Sequence, residues 1–292
     1  MKLLVFGFGY SAAALAENLS PEWEVFGTTR SEPGRVRAAG ATPLRWDADA
    51  AEIAERAREA DALLASAAPA EGHDPVLARF GEAISQSKAR WIGYLSSTNV
   101  YGDLGGAWVD ESAPVAPTTP RAKARRRAEI EWQELAAAHG LPLHIFRLAG
   151  IYGPGRGPIE KLRSGTARRI IKPNQIFSRI HRDDIGGALA ASIARPEPGA
   201  IYNLGDDRPA APEEVMVHAA GLLGIAPPPA EPFESAQMSP MARSFYADSK
   251  RVSNRALCKK LGYKLRYPDY DSGLRAILAA ERETPSHPPD RS

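Results

Sequence analysis

Cysteine is the first shortage in this sequence of 292 residues: there is one, Cys258. A lone cysteine closes no disulfide within the chain, so a stapled scaffold is excluded, and none is needed, because a body of this size buries roughly 70–75% of the surface its unfolded chain exposes. Net charge is also scarce. Lys and Arg total 37 against 35 Asp and Glu, a balance of +2, so no global field draws the protein to nucleic acid or to an anionic membrane, and any anion site has to be local. Long apolar runs are missing as well. The longest early one, Leu3 to Phe8, falls far short of the roughly 20 residues that cross a bilayer, and it stops at glycines instead of a small-residue cleavage site. Neither an H-E-x-x-H metal pair nor a G-x-S-x-G nucleophile elbow occurs. These absences predict a soluble, unexported, cytoplasmic protein with no metal, no nucleic-acid partner and no membrane partner.

What is present is order of another kind. The chain opens on an apolar stretch ending at Phe6, passes through Gly7-Phe8-Gly9-Tyr10-Ser11-Ala12, and runs Ala/Leu-rich to Leu19: a strand, a glycine turn and a helix. Strand-like segments recur at 24–29, 43–46, 62–67, 91–96, 143–148 and 201–204 with helical patterns between them. That alternation predicts an α/β chain with a doubly wound parallel sheet covered on both faces. Residues 1–150, completed by 181–205, are expected to form this first domain. Segments 151–180 and 206–283 lack the alternation and are expected to build a smaller, substrate-binding lobe, with the proline-rich stretch Ala226 to Pro232 as an extended spacer. Residues 284–292 are polar and proline-rich and read as a flexible tail.

Gly7-x-Gly9-x-x-Ala12 fits the G-x-G-x-x-G/A fingerprint. The first glycine permits a tight turn, the second lets backbone approach a pyrophosphate, the small third residue allows close packing, and the helix start offers N–H groups to phosphate. Gly7, Gly9, Tyr10, Ser11 and Ala12 are therefore expected to hold a dinucleotide in a Rossmann domain. An enzyme that uses NAD places a carboxylate on the ribose about 20 residues further on. Here the second strand ends Thr28-Thr29-Arg30-Ser31; a guanidinium beside a hydroxyl suits a 2′-phosphate, which favours NADP over NAD. The alternative is a solvated loop arginine with Glu32 at its side. Asp47 is either an adenine contact or a helix cap, and Ala67 and Ala68, after the fourth strand, are small enough for cofactor to pass.

Further motifs follow in a fixed order: Leu95-Ser96-Ser97-Thr98-Asn99-Val100-Tyr101-Gly102, Val109-Asp110-Glu111 with Pro114 and Pro117, Arg147-Leu148-Ala149-Gly150-Ile151-Tyr152-Gly153-Pro154-Gly155, Arg179-Ile180-His181-Arg182-Asp183-Asp184-Ile185, and Tyr202-Asn203-Leu204-Gly205. With them the chain resembles the extended short-chain dehydrogenase/reductase superfamily, the NAD(P)-dependent epimerase/dehydratase group, and most narrowly its atypical members with a G-x-G opening. The resemblance implies a Rossmann sheet with a C-terminal substrate lobe, a polar small-molecule substrate such as a nucleotide-linked sugar, and a homodimer. It also implies chemistry by a Tyr-x-x-x-Lys pair. There the phenol moves a hydroxyl proton, the ammonium lowers its pKa, and a Ser or Thr, here Ser97, orients the reacting oxygen.

The pair itself is missing. In the family, a Glu follows the Lys by four residues; Glu129 matches it, which puts Arg125 at the Lys position and Arg121 at the Tyr position. No tyrosine occurs between Tyr101 and Tyr152. Arginine is no replacement base, because its guanidinium stays protonated and has no lone pair to offer. Arg121, Lys123, Arg125, Arg126 and Arg127 gather at a helix start, where the macrodipole disfavours cations, so they read either as holding a substrate anion or as a solvated or oligomer-facing surface. Tyr101 and Tyr152 are the nearest phenols by motif; His181 with Asp183 and Asp184 matches, rather than a metal trio, a segment that in the family closes the sheet around the cofactor and begins a helix; and Cys258 sits before two lysines, which could lower its pKa. The sequence supports an oxidoreductase, epimerase or dehydratase with Ser97, Arg121 and Arg125 in its site. Its rival is a non-catalytic NADP(H)-binding sensor that has lost turnover.

Overall fold

In the computed structural model of the chain, residues 1–69 and 73–283 are described. The first half alternates strictly: β1 (Lys2–Phe6), α1 (Tyr10–Asn18), β2 (Glu24–Thr29), α2 (Pro33–Ala38), β3 (Thr42–Arg45), α3 (Ala50–Glu59), β4 (Ala62–Ala65), α4 (Pro75–Ser85) and β5 (Trp91–Ser97). A single 3₁₀ turn at Thr98–Tyr101 follows, then β6 (Trp108–Val109), α5 (Pro120–His139) and β7 (Leu143–Leu148). The remainder is β8 (Gly150–Tyr152), α6 (Pro158–Arg163), β9 (Arg169–Ile171), β10 (Arg179–His181), α7 (Arg182–Ala194), β11 (Ile201–Leu204), α8 (Pro212–Leu223), β12 (Ala230–Pro232), α9 (Pro240–Ser244), β13 (Arg251–Val252), α10 (Arg255–Lys259) and α11 (Tyr270–Glu283).

Seven parallel strands form the central sheet in the order β11-β7-β5-β4-β1-β2-β3. Side chains alternate across a strand, and β1 feeds both faces. Leu3 and Val5 pack with Leu15 of α1 and Leu189 of α7, whereas Leu4 and Phe6 pack with Ile53 of α3, Phe80 of α4 and Trp132 of α5. Such double burial is why the strands read as continuous apolar runs and not as alternating ones. The order reverses between β1 and β4, the crevice where open α/β sheets bind ligands at the carboxyl ends of their strands.

The predicted strands recur with small shifts at their ends. The fourth stops at Ala65 because the backbone N–H groups of Ser66 and Ala67 both turn onto the Phe6 carbonyl, at 2.9 and 3.1 Å, which carries the chain off the sheet beside Gly7. On the far side of the crevice, three two-stranded parallel pairs, β10-β8, β12-β9 and β13-β6, take the place of a sheet. The spacer is a partial misreading of the sequence: Ala230–Pro232 is an edge strand on β9, a location that tolerates a proline without a ladder donor. A small core of Tyr152, Ile159, Val215, Tyr270, Leu274 and Ile277 holds this side together. The tail at 284–292 lies outside the described residues. No described helix is long and apolar enough to cross a membrane.

Candidate active site

The crevice opens into a cavity of about 1110 Å³ that runs from Gly7, Gly9, Tyr10 and Ser11 past Ser97 to α9 and the start of β13. Gly7 sits at φ +83°, and a Cβ there would meet the Ala67 backbone nitrogen at 2.8 Å. The turn is pinned by Gly7 N–H donating to the Thr28 hydroxyl at 2.8 Å. At Gly9 a Cβ would find only the Gly7 carbonyl, at 3.9 Å, so the space in front of it is open. No side chain caps α1, which leaves its first N–H groups to a ligand. This cradle fits the pyrophosphate of a dinucleotide. Ala12 is fully buried and serves packing, Ser66 and Ala68 line the cavity, and Ala67 backs Gly7.

Tyr10 closes this end. Its hydroxyl donates to the Pro154 carbonyl at 2.8 Å, the guanidinium carbon of Arg182 lies 4.9 Å from its ring centre, and burial pushes the phenol up to about 12. Arg30 and Ser31 are exposed just past β2. Glu32 pairs with Arg35 at 2.7 Å rather than with Arg30. Asp47 neither caps α3 nor stands alone; it accepts from Arg79 at 2.7 Å on the surface.

Ser97 ends β5 half-buried in the cavity wall, its Oγ accepting from the Asn99 N–H at 3.3 Å, which leaves the hydroxyl proton as a donor. At the start of α5, Thr119 caps the helix by accepting from the Ala122 N–H at 3.2 Å. The basic cluster then divides. Arg121 is exposed at the cavity mouth, Arg125 turns inward to donate to the Leu95 carbonyl at 2.8 Å and the Tyr94 hydroxyl at 3.1 Å, and Arg126 pairs with Glu129 at 3.0 Å. Arg125 thus steadies the end of β5 that carries Ser97. Deeper still, fully buried Glu129 is gripped by Arg147 through two N–H···O bonds of 3.0 and 2.9 Å and accepts from Ser96 at 2.6 Å.

The motif phenols are both committed to the frame. Tyr101 is 1% exposed; its oxygen accepts from Arg147 at 2.9 Å and donates to Asn203 at 2.8 Å. Tyr152 donates to the Asp269 carbonyl at 3.2 Å, and burial raises its pKa further. His181 caps α7 through Nδ1, which accepts from the Asp183 N–H at 3.2 Å, and burial lowers it to about 4. For Cys258 burial outweighs Lys259 and raises the thiol, against the expectation from its lysine neighbours. No cluster of three metal-ligand side chains occurs among the described residues. Sequence reasoning missed the cations that line the far wall, Arg156, Lys161, Arg168 and Arg179, and the buried pair Asp248 and Lys250. The charges themselves were visible, but they lie in short, irregular segments whose spacing gives no face.

Residues 36–205 match the family described as NAD dependent epimerase/dehydratase, a span that begins after the glycine fingerprint. Protein YeeZ of Escherichia coli K12 is 28% identical over 285 residues, 92% of this chain and 97% of YeeZ. A functionally unknown conserved protein from Silicibacter pomeroyi superposes with a TM-score of 0.88 at 49% identity over 96% of this chain and 98% of that one. UDP-glucuronic acid 4-epimerase from Bacillus cereus, solved with UDP-glucuronic acid and NAD, shares the fold, with a TM-score of 0.80 at 17% identity over 97% and 99% of the two chains. With its crossed-over parallel sheet, its glycine cradle and a family match over more than half its length, this chain belongs to the NAD dependent epimerase/dehydratase family.

Proposed function

We propose that this protein is an NADP(H)-dependent oxidoreductase or epimerase acting on a polar, anionic small molecule of the nucleotide-sugar kind. The observation that carries this reading is one continuous cavity with a phosphate cradle at one end and cations along its walls. Its described lining has Arg121, Arg125, Arg156, Lys161, Arg168, Arg179 and Lys250 against a single lining carboxylate, Asp248, with Arg168 also paired to Glu231 outside the lining. Such a wall holds a phosphate or carboxylate through charge-assisted hydrogen bonds and repels nothing that a nucleotide-sugar presents. The Bacillus cereus epimerase of the same fold takes a substrate of that class.

Gly7, Gly9 and the first N–H groups of α1 would hold the pyrophosphate, with Ser66 and Ala68 allowing the cofactor to pass close. When bound, a nicotinamide dinucleotide supplies the exchange of a hydride. Ser97 would donate its hydroxyl proton to the reacting oxygen, and Arg125 would keep the Ser97 backbone in place through the Leu95 carbonyl. Arg30 supports NADP over NAD, since it lies past the tip of β2 with the adjacent Glu32 already engaged by Arg35. Cytoplasmic location belongs to the same proposal. So does pairing of two copies across α4 and α5, whose outer faces present Ala78, Ile130 and Ala138.

The test is direct. Titrate the purified chain calorimetrically with NADPH and NADH, then follow nicotinamide absorbance with a panel of sugar nucleotides, sugar phosphates and hydroxy acids. Arg30→Ala should weaken NADPH by about tenfold or more while leaving NADH within about twofold, the worth of a lost charged contact; equal weakening removes the 2′-phosphate assignment. Gly9→Val should abolish binding of both. A second reading, a non-catalytic NADP(H) sensor, is favoured by the arginines at positions 121 and 125 and by the two committed phenols. NADPH binding with no conversion across the panel, unchanged by Ser97→Ala, selects the sensor.

A further inference from the structure

A cavity without a Tyr-Lys pair still needs something to move a proton. Among its described lining residues are no histidine, cysteine or glutamate, and arginine is no base. The groups left are Tyr10, Tyr152, Tyr246, Lys161, Asp248 and Lys250. Tyr10 and Tyr152 have committed their hydroxyls to backbone carbonyls at 2.8 and 3.2 Å. Tyr246 packs its ring against Phe177 and Phe233, with burial and Glu213 holding its phenol up. Lys161 stands in water on α6. Asp248 and Lys250 remain.

Lys250 is 6% exposed and Asp248 8%. The described contact of the ammonium is Asp248 Oδ2, at 3.5 Å, so N–H positions remain uncommitted on a group that has three. The other oxygen of Asp248 accepts from Thr118 at 2.7 Å, and Thr118 directly precedes the cap of α5. Asp248 is therefore tied to the helix start where Arg121 occupies the position of the expected phenol. The segment is tied down by backbone contacts: Gln175 donates to the Asp248 carbonyl at 2.7 Å, and the Ser249 N–H donates to Asp103 at 2.7 Å. A buried, loosely paired ammonium costs stability that an apolar residue would not. Burial lowers the pKa of Lys250, against the pull of Asp248 and Asp103. Of the nearby cations, Lys172 also acts on Asp103, and Arg251 donates to the Gly106 carbonyl.

We propose that Lys250 is the proton carrier of this cavity, with Asp248 as its positioning residue. The proposal rests on the reading of the cavity as a nicotinamide-dependent site. In the oxidising direction the substrate O–H bond breaks and its proton forms a new N–H bond on the neutral amine, which becomes ammonium. The O–H electron pair closes the carbonyl, and the carbinol C–H pair leaves as hydride to the oxidised nicotinamide dinucleotide, so the alcohol is oxidised and the dinucleotide reduced. Reduction reverses each transfer.

The test has an arm that needs no turnover. Reductive methylation of the full chain with formaldehyde and cyanoborohydride at graded pH, mapped by peptide mass spectrometry, reads the neutral fraction of each accessible amine. Lys250 should be methylated at lower pH than Lys161 on the same cavity, and Asp248→Asn should move it lower still, since the carboxylate favours the ammonium. A Lys250 that tracks Lys161, or that stays unlabelled, overturns the proposal. In the second arm, Lys250→Arg and Lys250→Met should keep NADPH affinity within about twofold and lower turnover of any converted panel compound by about 10²–10⁴-fold. Arg keeps the charge without a titratable amine, so wild-type turnover in Lys250→Arg also overturns it. Loss of NADPH binding in the unmodified protein would instead sink the cofactor reading, a result the methylation profile does not depend on.

Discussion

The two walls of the cavity are held by different forces. On the sheet side, β1, β4 and β7 are buried along nearly their whole length and pack apolar helices on both faces. The opposite wall is built from two- and three-residue strands, and much of what it buries is polar: Gln175, Ser178, Asp206, Asp248, Ser249 and Lys250. A parallel sheet gains stability from area and needs little from any one residue. A wall of short strands has too little area, so named hydrogen bonds and charges fix it, and each such group becomes costly to disturb. That cost also makes it useful, because perturbed groups facing a cavity are where chemistry is found.

The largest effect should come where the sheet wall adopts the device of the other. Glu129, on α5, and Arg147, on β7, form a bidentate pair that is 0% and 2% exposed. Glu129→Leu leaves the guanidinium buried without its counter-charge, and the expected loss is about 3–5 kcal/mol in denaturant unfolding. Glu129→Leu combined with Arg147→Met should recover most of it, because the attraction of the paired charges offsets little more than their own desolvation. If the single substitution costs under about 1 kcal/mol, the pair is incidental and the contrast between the walls fails at its strongest point.

This division also decides how far the fold could be read from sequence. Short apolar runs located the inner strands of the central sheet, since double burial writes itself as unbroken stretches such as Leu3 to Phe6 and Ala62 to Ala65. The glycine turn was equally legible, because φ +83° at Gly7 and the close approach of Ala67 leave no other residue room. For Arg125 the spacing from Glu129 puts both on one helix, yet the partners of its guanidinium, the Leu95 carbonyl and the Tyr94 hydroxyl, are 30 and 31 residues away and no local pattern announces them. Lys250 was invisible for the same reason at greater range. Its significance depends on Thr118, 130 residues before Asp248, and on which other lining groups are already engaged.

A middling effect, with a distinctive pH signature, is expected at the buried carboxyl of Asp206. Burial pushes Asp206 up to about 8, with Arg179 acting against it. The folded state therefore keeps a proton that the unfolded chain releases near an ordinary carboxylate pKa. Stability from this group is intact at low pH and falls as pH rises toward and through about 8. Asp206→Asn fixes the neutral form and retains an oxygen for the Arg208 N–H, which lies 3.2 Å from Oδ1. Thermal unfolding should find the variant and the parent alike near about pH 4 and the variant more stable by about 1–3 kcal/mol near about pH 9. A variant that is less stable at high pH would mean that Asp206 works there as a charged partner of Arg179, and this side of the cavity would then rest on ion pairing rather than on a buried neutral acid.

The smallest effect is expected from an exposed bidentate ion pair between α6 and α11. Arg163 of α6 and Glu281 of α11 meet through two N–H···O bonds of 2.6 Å each, and their side chains are 47% and 36% exposed. The guanidinium holds the Glu281 carboxyl below its usual pKa. Water and salt nevertheless screen the attraction, and both long side chains lose rotamer freedom to make it. Arg163→Gln should therefore cost at most about 1 kcal/mol, less again in about 0.5 M salt, where the Debye length shrinks well below its physiological value of about 8 Å. The same bidentate geometry at Glu129 and Arg147 is expected to be worth several times more when broken, so the ratio of the two losses measures what burial adds together with the further contacts of Glu129 to Ser96 and Arg126. A ratio near one would show that ion-pair geometry, and not the dryness of its surroundings, decides how this protein holds its walls together.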